Sequence, residues 1–374
     1  MVYLDYNATT PLCQEAKMAM LPFLDGTYGN PSSIHAEGRR ARAAVDDARD
    51  RLAAVMEVKP HEIIFTGGGT ESCNLGVIGL ARAHAPKGRH IITSSIEHHA
   101  VLHAFEYLKH FEGFEVEILP VESNGTVNPH TLATMIRPDT TLVSVMHANN
   151  ETGTIQPLRE LSEICTSRGV LFHTDAVQTF GKLPVKPADL GVSALSISSH
   201  KFYGPKGVGA LFLSAGVALS RTVHGGAHEN TRRPGTENVA GIAGMAAAAE
   251  AGFRMDLLPL REQLWAGIID ACPSAVRNGD PALSLDNTLN ASFPGMDGEA
   301  LLIGLDLEGV CASSGSACMV GSIQPSHVLL AMGIPPETAM ATVRFSLGQE
   351  TTGNDILHAI GAVRNVVANQ LLEA

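Results

Sequence analysis

Between about residues 60 and 215, short apolar runs rich in β-branched residues alternate with longer stretches whose apolar positions recur every three or four residues. The short runs are EIIFT (62–66), HIITSS (90–95), TTLVSVMH (140–147), VLFHT (170–174), SALSIS (193–198) and GVGALFLS (207–214). They read as strands, and TESCNLGVIGLARA, HHAVLHAFEYLK and PLRELSEICTSRG between them read as helices. Such an alternation predicts an α/β fold in which helices cover both faces of a mainly parallel sheet. Upstream, residues 33–56 carry apolar side chains at 41, 44, 45, 48, 52, 53 and 56, the spacing of one helix face. After Phe253 the pattern changes. A helix over 257–271, strand-like TLNASF, the helix GEALLIGLDLEG, a loop of small residues, SHVLLAMG, strand-like ATVRFSLG and a final helix suggest a smaller α+β unit. The expected division is a large domain over 15–255 and a small one built from 1–14 and 256–374.

A chain of 374 residues exceeds what one core usually holds, which agrees with two domains. Hydrophobic residues make up 45% and charged residues 17%, as in a well-buried globular enzyme. The net charge of −12 argues against nucleic acid as a partner, because phosphate contacts need a surplus of Lys and Arg. No signal peptide or membrane-spanning run is visible, so the expectation is a cytoplasmic protein without membrane contact. The six cysteines form no CxxC pair and read as reduced thiols, with Cys13, Cys73, Cys165 and Cys272 as core packing.

Three features carry chemistry. In FTGGGTES (65–72), glycines follow a strand and open a helix, so free backbone N–H groups and the helix dipole face any bound group. A tight turn would look the same, but neither a GxxxxGK[ST] loop nor a ribose-binding acid accompanies it. A nucleotide is therefore disfavoured and a smaller phosphate is not. Asp175 ends one strand and Lys201 follows another in SISSHKFYGPKG (196–207). Either alone would be an ordinary strand-end residue. Together with a phosphate cradle they meet the needs of pyridoxal phosphate: a lysine to bond it, an acid for the ring nitrogen, and a hold on its phosphate. A metal site through His98 and His99 lacks HExxH or any Cys/His ligand spacing, so none is expected.

The runs DAVQ (175–178), SSHK (198–201), MHANNETG (146–153), RRPGTENV (232–239) and SSGSAC (313–318) together resemble those of NifS/IscS-type cysteine desulfurases. The resemblance extends from YLDYNATTP to RFSLG. It implies fold type I of the pyridoxal phosphate enzymes, similar to aspartate aminotransferase, and conversion of L-cysteine to L-alanine with sulfur passed to an enzyme cysteine. By the same resemblance, Lys201 bonds the cofactor and shuttles protons, Asp175 pairs with its ring nitrogen, and His98 stacks on the ring and handles the substrate thiol proton. Gly69, Thr70, Ser198 and His200 would hold the phosphate, and Gln178 and Asn150 the phenolic oxygen side. Asn150 and Arg344 would grip the substrate carboxylate, a bidentate task that suits a guanidinium. Thr236 would reach the phosphate of a second subunit, making a homodimer, and Cys318 would take the sulfur as a persulfide. The acceptor would be an iron–sulfur scaffold or another sulfur-accepting protein. Three departures stand out: Met319 and Val320 where Thr and Ser are usual, Cys73 where Asp is common, and an end at Ala374 where longer members carry a tail. Selenocysteine lyase, aminotransferase or an idle scaffold partner are the rival readings. The small-residue loop around Cys318 speaks against a transaminase, and intact Lys201, Asp175, His98 and Cys318 speak against an idle partner.

Overall fold

In a computed structural model of the chain, which describes residues 1–252, 256–314 and 324–373, the six strand-like runs lie in one seven-stranded sheet. Its order is 63–66, 209–213, 194–198, 171–175, 140–144, 90–94 and 115–119. The neighbours from 194–198 to 115–119 are parallel. Gly209–Leu213 is the exception that a mainly parallel sheet allows, running antiparallel to both of its neighbours. The connection from Ser198 holds only the short turn Ser199–Lys201, and a parallel return needs a crossover of a dozen residues or more. Glu115–Leu119 is the strand missed in the sequence. It lies at the sheet edge, and its exposed Glu115 and Glu117 hide the apolar signal.

Alternate residues of the strands divide between two cores, as a period of two requires. Ile63, Phe65, Leu195 and Ile197 pack on one side with Val45 and Leu52 of the helix Ala36–Met56. Ile64, Ala194 and Leu211 pack on the other with the helices Gly69–His84 and His99–Glu112. The helix expected over 33–56 starts at Ala36 because His35 caps it, Nδ1 accepting from the Gly38 N–H. Six of its seven expected apolar positions are buried, and Ala44 is only partly so. A third core joins Val2 and Leu4 to residues between 257 and 367. It surrounds an antiparallel sheet of 342–346, 288–292 and 276–277, while Val2–Tyr3 pairs with Val310–Cys311. No helix among the described residues is long and apolar enough to cross a membrane.

Strand 63–66 points the same way as the parallel set, since both it and 194–198 run antiparallel to 209–213. The residues after 66, 94, 144, 175 and 198 therefore all emerge at one edge of the sheet, where open α/β sheets bind ligands.

Candidate active site

That edge holds a cavity of about 330 Å³. Ten residues expected to act together line it: Gly69, Thr70, His98, Asn150, Asp175, Gln178, Ser198, His200, Lys201 and Arg344. Thr236 does not reach it, lying instead in a surface depression with Asn30, Arg42 and His228. Cys318 lies outside the described residues, but the chain on both sides is fixed to the cavity wall. Ser313 pairs backbone to backbone with Arg344. On the other side of Cys318, Ser326 donates its hydroxyl to Glu151 Oε2, and His327 Nε2 meets the carbonyl of Glu97 at 3.0 Å. Cys311, the other thiol near that segment, is half-buried.

The glycine turn fits a phosphate. Gly68 has φ +148°, which a side chain would strain, and a Cβ on Gly69 would come within 3.0 Å of Val177 Cγ2 and 3.1 Å of Ser198 Cβ. The first N–H groups of the helix Gly69–His84 thus lie beside the Ser198 hydroxyl with no side chain between them. Ser72 donates its hydroxyl to the Gly68 carbonyl at 3.1 Å and holds the turn.

Asp175 is buried at its strand end and accepts from the Val177 N–H at 2.9 Å. Burial pushes its carboxyl above the ordinary range, and the nearby His98 ring and the Val177 N–H pull it back. That is the acid a protonated ring nitrogen would satisfy. His98 caps the helix His99–Glu112, Nδ1 accepting from the Ala100 N–H at 3.0 Å. An N–H can only donate, so in the neutral ring Nε2 carries the proton. Burial pushes the imidazole below its ordinary pKa, with Asp175 opposing and Lys201 assisting. His200 is likewise neutral, pushed down to about 4 by burial and by Lys201 and Lys206. Lys201 donates to the carbonyls of Asn7 and Ala8, each at 2.7 Å. Arg344 donates to Asp5 Oδ1 at 2.7 Å and to the Asn150 carbonyl at 3.1 Å, while its buried Nε has no hydrogen-bond partner among the described residues. A guanidinium held from behind with a donor to spare suits a carboxylate ligand.

Sequence reasoning missed Asn7, Cys73 and Lys182. Asn7 and Cys73 line the cavity, Cys73 from within the core packing that the sequence suggests for it. Its thiol is pushed well above its ordinary pKa by burial and then by Asp175, and so stays protonated. The departure from Asp at position 73 was the available signal. Lys182 stands behind the wall, donating to Asn7 Oδ1 at 2.9 Å and Gln178 Oε1 at 3.1 Å.

The aminotransferase class-V family matches residues 2–358. Cysteine desulfurase IscS of Dictyoglomus turgidum is 49% identical over 372 residues, covering 98% of this chain and 94% of that protein. A solved NifS-like protein superposes with a TM-score of 0.92 at 37% identity, over 98% of this chain and 99% of the other. The solved structure described as SspA in complex with cysteine gives a TM-score of 0.85 at 34% identity, over 94% of this chain and all (100%) of the other.

Proposed function

The chain belongs to the aminotransferase class-V family and is a pyridoxal-phosphate-dependent cysteine desulfurase, and on that premise we propose which of its residues carry the reaction. The bound cofactor supplies an electron sink for carbon. The Gly69 and Thr70 end of its helix, with Ser198 and the neutral His200, holds the phosphate. Asp175 would keep the ring nitrogen protonated, and Lys201 Nζ would hold the cofactor and then accept and return the substrate α-proton. Arg344 and Asn150 bind the carboxylate of L-cysteine. His98 would present Nε2–H as a hydrogen-bond donor to the substrate sulfur, which keeps its own proton.

The Cys318 thiolate then attacks that sulfur. An S–S bond forms, the C–S bond breaks, and its electron pair stays with the carbon fragment, which leaves as alanine after protonation. Overall, L-cysteine and the Cys318 thiol become L-alanine and a Cys318 persulfide. We assign the sulfur onward to a protein acceptor such as an iron–sulfur scaffold. We also assign Thr236 to the cofactor phosphate of a second copy. It lines a depression separate from its own cavity, and Tyr28 and Ile34, 85% and 90% exposed, flank residues of that depression in the chain.

The observation that carries this reading is the meeting of Lys201, Asp175 and His98 in a cavity to which both chain segments flanking Cys318 are tied. The test is mass spectrometry of the cofactor-loaded protein after brief exposure to L-cysteine. One added sulfur is expected on Cys318 and none on Cys311, with alanine released in step. Lys201→Ala should give neither product. Sulfur on Cys311, or normal desulfuration by Cys318→Ser, would overturn the assignment. Incubation with cell extract should then move the sulfur to a protein, and transfer only to small thiols would refute the protein acceptor.

A further inference from the structure

Lys182 takes no part in the scheme above, yet its ammonium is enclosed beside the cavity, although the residue as a whole is only half-buried. Its two bonds go to Asn7 Oδ1 and Gln178 Oε1. The other end of the Gln178 amide donates to the Asn7 carbonyl at 3.0 Å, the carbonyl that also accepts from Lys201. An ammonium can only donate and a carbonyl can only accept, so these partners fix which end of the amide is oxygen and which is nitrogen. With Oε1 turned to Lys182 and one N–H on Asn7, the polar group Gln178 has left for the cavity is its second N–H.

The same logic fixes Asn7. Its Oδ1 takes donors from Lys182 and from Asn287 Nδ2 at 3.0 Å. Its Nδ2 donates to Thr288 Oγ1 at 2.9 Å and to the Asn150 carbonyl at 3.2 Å. The cations near Lys182 are Lys201 and Arg344, and with burial they push its pKa down to about 7.

We propose that Lys182 is a positioning residue, which locks the Gln178 amide so that it presents a donor to the phenolic oxygen of the bound cofactor. This rests on the proposed placement of the cofactor. If that placement failed, the wild-type protein loaded with pyridoxal phosphate would show no visible absorbance band that depends on Lys201. Failure of the present proposal would leave that band intact.

The readout is the pH titration of the bound cofactor's visible absorbance in the holoenzyme. A donor on the phenolic oxygen favours its anionic form. In Lys182→Met the amide can turn its oxygen inward, so the midpoint should rise by about one pH unit, a tenfold change in the equilibrium. Lys182→Gln keeps a neutral donor for both oxygens and should restore the wild-type midpoint. Gln178→Glu replaces both N–H groups with an acceptor oxygen while keeping the Lys182 side chain in place, and should shift the midpoint in the same direction as Lys182→Met. That variant keeps the test decisive if Lys182→Met fails to fold. An unmoved midpoint in Lys182→Met, or in Gln178→Glu, would overturn the proposal. So would equal shifts in Lys182→Met and Lys182→Gln, since Lys182 would then act through its charge.

Discussion

Glu97, next to His98 in the chain, is a fully buried carboxyl whose Oε1 accepts from the Ser94 hydroxyl and the Met146 N–H while Oε2 has no partner among the described residues. Burial pushes its pKa from 4.5 up to about 8, with those two donors opposing. Between these values the folded state binds more protons than the unfolded one, so stability falls as pH rises. The contribution is whole below about 4.5 and lost as pH passes about 8. Glu97→Gln retains an oxygen for both donors and has no charge to bury. Its melting temperature should match wild type at acid pH and exceed it increasingly toward alkaline pH, as thermal unfolding across that range would show. A difference that does not change with pH would refute this. At this scale the sequence revealed residues whose chemistry is tied to position: Asp175 at a strand end, Lys201 after another, glycines before a helix. It concealed Asn7, Cys73 and Lys182, whose roles depend on neighbours far along the chain, such as Asn7 with Lys182 and Asn287.

The helix Gly69–His84 is where element and function meet. Gly69→Ala should favour the helix intrinsically by roughly 1 kcal/mol. Its added methyl nevertheless lies 3.0–3.1 Å from Val177 Cγ2 and Ser198 Cβ, closer than ordinary packing allows. Moving those atoms disturbs the phosphate hold and leaves the cores untouched. Cofactor affinity should fall about tenfold, equivalent to about 1.4 kcal/mol, with little change in the melting temperature of the apoprotein. An unchanged dissociation constant for pyridoxal phosphate by absorbance titration would show that the glycine is not needed for close approach. Elements with strong period and burial, such as 36–56 and the inner strands, were readable because their apolar positions face a core. The antiparallel direction of 209–213 was not, since strand direction follows from connection length and pairing rather than side-chain pattern. The edge strand 115–119 was lost because solvent takes one side of it.

Across the whole molecule, the N-terminal segment ties the large sheet to the third core. Val2 and Leu4 pack with Phe345, while the Asn7 and Ala8 carbonyls hold Lys201. One site requirement is left unmet within the chain: Thr236 stands apart from the cavity. It follows three consecutive left-handed residues, Glu229, Asn230 and Thr231, in a loop that bidentate pairing of Arg49 with Glu229 holds in place. Such strain persists where the surroundings over-determine the backbone, and it places the loop rigidly rather than leaving it to adapt. If Thr236 serves the phosphate of a second copy, each site draws on two chains. Thr236→Asp should then weaken cofactor retention strongly, because a carboxylate would face the phosphate. A heterodimer of Lys201→Ala with Thr236→Asp separates the possibilities. With shared sites, one cavity carries both defects and the other carries neither, so activity should recover to about half that of wild type while each homodimer stays impaired. With unshared sites, both cavities keep one defect and nothing recovers. Loss of recovery in verified, purified heterodimers would therefore reject the shared site, and recovery would place Thr236 across the interface.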